Sequence, residues 1–245
     1  MKNPKFIAGE IYHICNRGVD KRIVFRNDSQ RFRFIHDLYE FNDEAPAENI
    51  YYKNDKFTLP ESYEVRLRKI RGGGKQAKNT TRKLLVKIHA FCLMPNHFHL
   101  LIEQLAERGI SRFMQKLGTG YTNYFNQIEE RSGVLFQGKF KAVLLKNENH
   151  FIHIPYYIHS NPLDLSPHKT WRERKLTNPR AAMKFLETYR WSSFMDYIGK
   201  KNFPSITQRD FLLDFFNNPK EYKAKTAQWL SAMEVETIDS ALTLD

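Results

Sequence analysis

The chain is poor in cysteine: among 245 residues only Cys15 and Cys92 occur. Two thiols so far apart, each in an apolar context, exclude a disulfide framework and any zinc site built on Cys-x-x-Cys. They fit a protein of a reducing compartment, and we expect a cytoplasmic one. No apolar run approaches the ~20 residues of a membrane-spanning helix. The start, MKNPKFIAGEIYH, lacks the continuous apolar stretch of a secretory leader. The GxxxxGK[ST] phosphate loop is absent, so no nucleotide cofactor is expected. Acid is missing locally as well: from Val65 through Ile102 there is no Asp or Glu.

What is present is basic and aromatic. The net charge is +12 and the sequence pI is about 9.6. A charge of that sign and size points to a polyanionic partner. Without a membrane segment, nucleic acid leads over an acidic membrane surface. Hydrophobic residues make up 41% and charged residues 27%, which places the chain among globular proteins. The 19 Phe and 12 Tyr must mostly pack, with some left to stack on bases. Nine Lys or Arg lie between Val65 and Lys87, around the triplet Gly72-Gly73-Gly74. Ordinary solvated surfaces mix both signs. This stretch therefore reads as a phosphate-contacting arm as much as a surface loop.

The hydrophobic periodicity gives an order of elements. GEIYHICNRG (Gly9–Gly18) alternates as a strand. Asp28–Phe41 is helical, with Asp28 or Ser29 as its cap. Residues 43–83 read as an insertion. Leu84–Leu93 is a buried strand, Met94–Asn96 a turn, and His97–Glu103 the returning strand. Ile110–Gly133 is helical with Ser111 as cap, and Gly118 and Gly120 predict a kink. Gly133–Asn147 reads as one strand or two bent ones, placing Lys139 and Lys141 on one face. Asn147–Pro162 opens a helix that carries Pro155. Further helices are expected over 178–199 and 206–231, with Ser205 and Gln208 at capping-box spacing. The order βαββαβ predicts an α+β fold, a ferredoxin-like or RRM-like antiparallel sheet. A catalytic domain over 1–165 and a helical extension over 166–245 are the expected divisions.

His97 and His99 stand two apart in a strand and so share a face. Two imidazoles on one face suit one metal ion. Taken alone, H-x-H reads first as two histidines of a half-exposed strand. Downstream, YYIHSNP places Tyr157 and Asn161 four apart on one helical face. That pair offers a phenol nucleophile and an amide oxygen as third ligand. Tyr156, Tyr121 and Tyr124 compete for the nucleophile's role. His159 lies off the Tyr157 face and reads as structural.

The segments MPNHFHLLIE, YIHSNPLDL and YRWSSFMDYIG, with YHICNRGVDKRIVF and GVLFQGKFKAVLL, occur in an order that resembles the REP-associated tyrosine transposases. These are single-tyrosine members of the HUH nucleases, and the resemblance spans about residues 8–200. It implies that His97, His99 and Asn161 hold Mg²⁺ or Mn²⁺ and that Tyr157 attacks DNA. The product would be a 5′-phosphotyrosine at a hairpin-forming repeat, rejoined without ATP. The chain departs from the family's pattern at Ser160, Leu163 and Asp164. Arg17, Lys139 and Lys141 are the expected DNA contacts. The implied partner is single-stranded or hairpin DNA, bound by a monomer or homodimer that is nucleoid-associated when on DNA. The alternative is a catalytically silent hairpin-DNA-binding protein derived from such a transposase. A phosphodiesterase using water is a further rival. A zinc deaminase is a poorer rival still, because it needs H-x-E with P-C-x-x-C and neither occurs.

Overall fold

The computed structural model describes residues 3–45, 82–167, 171–172 and 176–232. Most of the 43–83 insertion, with its glycine triplet and most of its basic residues, lies outside them. Four strands form one sheet: β1 (Ile11–Arg17), β2 (Val86–Met94), β3 (His97–Gln104) and β4 (Lys141–Leu144). Their order is β2-β3-β1-β4 and every pairing is antiparallel. Helix α1 (Asp28–Glu40) follows β1, and α2 (Gly109–Ile128) follows β3. This is the expected βαββαβ sheet.

Alternation along the strands makes two cores. Tyr12, Ile14, Leu93, Phe98, Leu100 and Ile102 pack with α1 and α2 on one side. Ile11, Ala90, Cys92, Met94 and Leu101 face the other side. There they meet α3 (Glu148–Ser160), a 3₁₀ segment (Asn161–Leu165) and the C-terminal helices. His97 and His99 stand on this second face, opposite Phe98, because the side-chain period of a strand is two.

Local chemistry shifts several boundaries. Asn27, not Asp28 or Ser29, caps α1 by accepting from Gln30 N at 3.0 Å. Helix α2 has Arg108 at its N-cap, with φ of 52°, rather than Ser111. It runs unbroken through Gly118 and Gly120. Gly120 has a packing reason instead: a Cβ there would lie 2.4 Å from the Phe41 ring. The expected strand over 133–147 shrinks to β4, because Gly138 turns the chain at φ 65°. Lys139 therefore sits in the turn, and only Lys141 takes a strand position.

The predicted C-terminal helices break into α4 (Pro179–Leu186), α5 (Phe194–Tyr197), α6 (Asp210–Phe215) and α7 (Pro219–Ala232). Between them the chain covers the β2 edge. Leu93 N donates to Trp191 O at 2.8 Å, and Ser193 N to Phe91 O at 3.0 Å. Gln208 does not form the expected capping box. Its backbone N donates to Ile88 O at 2.9 Å, and its side-chain oxygen accepts from Ile88 N at 2.8 Å. An open edge strand is a template for aggregation, and these residues close this one.

Candidate active site

The histidine strand begins at a clamped turn. Pro95 O accepts from Val24 N at 2.8 Å and Phe25 N at 3.0 Å, and Asn96 O accepts from Gly18 N at 2.8 Å. The 18–25 segment can reach the turn only because residue 18 is glycine. A Cβ there would meet Arg22 O at 2.4 Å. Asn96 has no positive φ, so its value lies in hydrogen bonding rather than in tolerating the left-handed region. Its amide nitrogen donates to Lys21 O at 3.3 Å, which leaves its Oδ1 to accept from His97 Nδ1 at 2.6 Å.

His99 is held by a residue that the sequence did not single out. His13, on β1, places Nε2 2.9 Å from His99 Nδ1. Each of the paired histidines thus has Nδ1 engaged by a neighbour, which orients the ring and sets Nε2 on its far side. Both Nε2 atoms are buried and take no part in a hydrogen bond among the described residues. The two rings lie 5.0 Å apart, centroid to centroid. The signal for His13 was its parity with Ile11 and Cys15 in a strand whose partner was not yet known.

Helix α3 brings the third element. Asn147 caps it by accepting from His150 N at 3.0 Å. Pro155 lies in its interior rather than the first turn, and removes the donor that Phe151 O would otherwise receive. One face of the helix presents Tyr157, whose ring is 5.9 Å from His99 and 6.0 Å from His13. Tyr156 points elsewhere, against Phe216, Tyr222 and Trp229. Tyr121 lies in the other core and donates to Val24 O at 2.6 Å. Asn161 ends the helix, with its amide donating to Tyr157 O at 2.8 Å. His159 faces away, between Tyr222 Oη at 2.6 Å and Ser193 Oγ at 2.7 Å. Burial pushes its pKa down to about 3. It is a structural tie between α3 and the C-terminal part, as expected.

A second residue missed from sequence is Arg172. Its guanidinium donates to Tyr157 Oη at 2.9 Å and to Asn161 Oδ1 at 2.8 Å. It also forks onto Asp164 at 2.8–3.0 Å. Trp171 Nε1 donates to the same carboxylate at 2.6 Å. The departure at Asp164 therefore anchors this arginine. No short-range pattern announces the contact, because it forms across the site from beyond the 3₁₀ segment.

The expected DNA contacts divide. Arg17 is the cross-strand partner of His97, and Lys141 is two strands from His99 in the row His99–Cys15–Lys141. Directly paired residues share a face, so both cations stand on the histidine face. Lys139 is exposed in the turn before β4. Among the described residues, no three His, Cys, Asp or Glu side chains gather as a metal centre. The donor set is of another kind: two oriented imidazoles and an amide oxygen. The imidazoles fit a divalent ion; the Asn161 oxygen fits by type and is engaged by Arg172.

The site thus sets a tyrosine from a packed helix against a histidine pair on an antiparallel sheet. Residues 72–161 match the family described as Transposase IS200 like, and the matched segment contains His97, His99, Tyr157 and Asn161. That match covers 90 of the 245 residues. Among solved structures, the chain is similar to a REP-associated tyrosine transposase bound to a REP hairpin. Identity is 12% over 86% of this chain and 92% of that one, with a TM-score of 0.44. No curated protein matches. No helix of the described residues is long and apolar enough to cross a membrane.

Proposed function

We propose that this protein cleaves and rejoins single-stranded DNA at hairpin-forming repeats through a covalent bond to Tyr157. One observation carries the reading: the Tyr157 ring lies 5.9 Å from that of His99, within the segment that matches the Transposase IS200 like family. Mg²⁺ or Mn²⁺, held by His97, His99 and Asn161, would supply polarisation of the phosphate oxygens. Tyr157 Oη forms a bond to the scissile phosphorus as the bond to the 3′ oxygen breaks. The phenolic proton passes to solvent, and the leaving oxygen takes one up as a free 3′-OH. Attack by another strand's 3′-OH reverses the step, so no ATP is consumed. Arg17 and Lys141 hold phosphates beside the histidines, and Lys139 approaches from the turn.

The test is incubation of the full chain with labelled hairpin DNA and Mn²⁺, followed by a denaturing gel. The expected result is a protein-linked DNA band that Tyr157→Phe abolishes while DNA binding survives. An adduct that persists in Tyr157→Phe removes the assignment of the nucleophile. Binding without any cleavage by the unaltered chain would instead favour the silent hairpin-binding protein.

A further inference from the structure

The two side chains on which the proposed chemistry depends are held by one guanidinium. Arg172 spans Tyr157 Oη at 2.9 Å and Asn161 Oδ1 at 2.8 Å. It is not a loose surface cation. The Asp164 carboxylate grips it through Nε and Nη2, and its charge lies over the Trp171 ring at 4.7 Å and the Tyr157 ring at 5.3 Å. Trp171 and Tyr157 are both buried. Asp164 is in turn fixed by Trp171 Nε1 at 2.6 Å. A planar fork with five donors is the side chain that can meet a carboxylate, an amide oxygen and a phenol together.

A divalent ion that takes Asn161 Oδ1 stands next to this guanidinium, like charge against like, and Asn161 itself is buried. The two cations therefore contend for one oxygen. We propose that Arg172 is a positioning residue that latches the site. It competes with the divalent ion for Asn161 Oδ1 and pins the Tyr157 hydroxyl until ion and DNA phosphate together draw it away. A phosphate is the natural second partner for the released fork, because guanidinium and phosphate pair in bidentate fashion. The consequence is an enzyme that binds its metal weakly until substrate arrives. Idle phenol chemistry is thereby restrained.

The latch rests on the metal-and-tyrosine reading above, and the experiment separates the two. Mn²⁺ alone is titrated into the full-length protein, and the free ion is followed by its electron paramagnetic resonance signal. Arg172→Gln removes the competing charge while keeping a polar side chain. It is expected to bind Mn²⁺ at least tenfold more tightly than the unaltered chain. Adding Asn161→Ala to that variant is expected to erase the gain, because the contested oxygen is gone. Equal Mn²⁺ affinity in the unaltered chain and Arg172→Gln overturns the latch, as does a gain that survives Asn161→Ala. If Arg172→Gln does not fold, Arg172→Lys carries the test. A single ammonium cannot span both oxygens while paired with Asp164, so Mn²⁺ should still bind several-fold tighter, and unchanged affinity again overturns the proposal. An unaltered chain that forms the DNA adduct, with no such gain in Arg172→Gln, loses only the latch. One that forms no adduct at any Mn²⁺ concentration loses the underlying reading.

Discussion

At the scale of single residues, orientation governs what the site can do. A histidine binds an ion through whichever ring nitrogen faces it, and here Asn96 and His13 engage the Nδ1 atoms of His97 and His99. We predict that His13→Ala lowers Mn²⁺ affinity by about 10- to 100-fold, the usual loss when a supporting hydrogen bond to a metal-binding histidine is removed. Metal titration checks it, and unchanged affinity would show that β3 alone orients His99. His159 makes a prediction about pH. Its folded pKa, about 3, lies below its ordinary 6.5. The unfolded chain therefore takes up that proton first as the solution is acidified. The contribution is complete above pH 6.5 and is withdrawn between 6.5 and 3, by about 1.4 kcal/mol per pH unit. Asp37 runs the other way. Burial lifts its carboxyl to about 7 against the opposing pull of Arg33, so its contribution is lost as the pH rises through 7. Comparing melting temperatures of the unaltered chain and His159→Gln isolates the first effect. The gap between them should shrink from pH 7 to about 4. A constant gap would mean that His159 titrates in the fold as it does in the unfolded chain.

At the scale of elements, the histidine strand depends on the segment that grips its turn. Gly18→Ala would place a methyl group 2.4 Å from Arg22 O, a backbone atom that cannot swing aside. We expect a loss of about 1–3 kcal/mol in unfolding free energy, the range for forced overpacking. A chemical denaturation curve measures it, and an unchanged midpoint would show that the 18–25 segment yields easily. Elements set by strong local periodicity were legible in the sequence. The H-x-H strand, α1 and α2 fall close to expectation, because alternation and helical spacing specify them. Elements set by distant contacts were not. The strand expected across 133–147 is cut short by Gly138, and the helix expected over 178–199 gives way at residues 191–193 to pairing with β2. The site divided in the same way. His97, His99, Tyr157 and Asn161 lie within two short motifs, whereas His13 and Arg172 reach them from elsewhere in the chain.

At the scale of the whole molecule, the residues beyond 165 are bound into the sheet's own architecture. Trp191, Ser193 and Gln208 close the β2 edge, and Trp171, Tyr197, Tyr222 and Trp229 fill the core against which α3 packs. A chain ending at residue 165 is expected to aggregate on expression, with an open edge and an uncovered apolar face. Size-exclusion chromatography decides it, and a monodisperse folded fragment would show that residues 1–165 stand alone. The net charge of +12 also predicts salt-sensitive DNA binding. Replacing Arg17 or Lys141 by a neutral residue leaves one fewer phosphate neutralised on the bound strand. The slope of log affinity on log salt should then fall by about 0.7 for each such phosphate, as for single strands. Binding isotherms at several salt concentrations measure it, and an unaltered slope would place that cation off the DNA path.

The most direct test of the central claim is to digest the trapped protein–DNA adduct and map the modified residue by mass spectrometry. The account predicts a 5′-phosphotyrosine on Tyr157. Attachment at Tyr156, Tyr121 or Tyr124, or cleavage by the unaltered chain that leaves a free 5′-phosphate and no adduct, would contradict it.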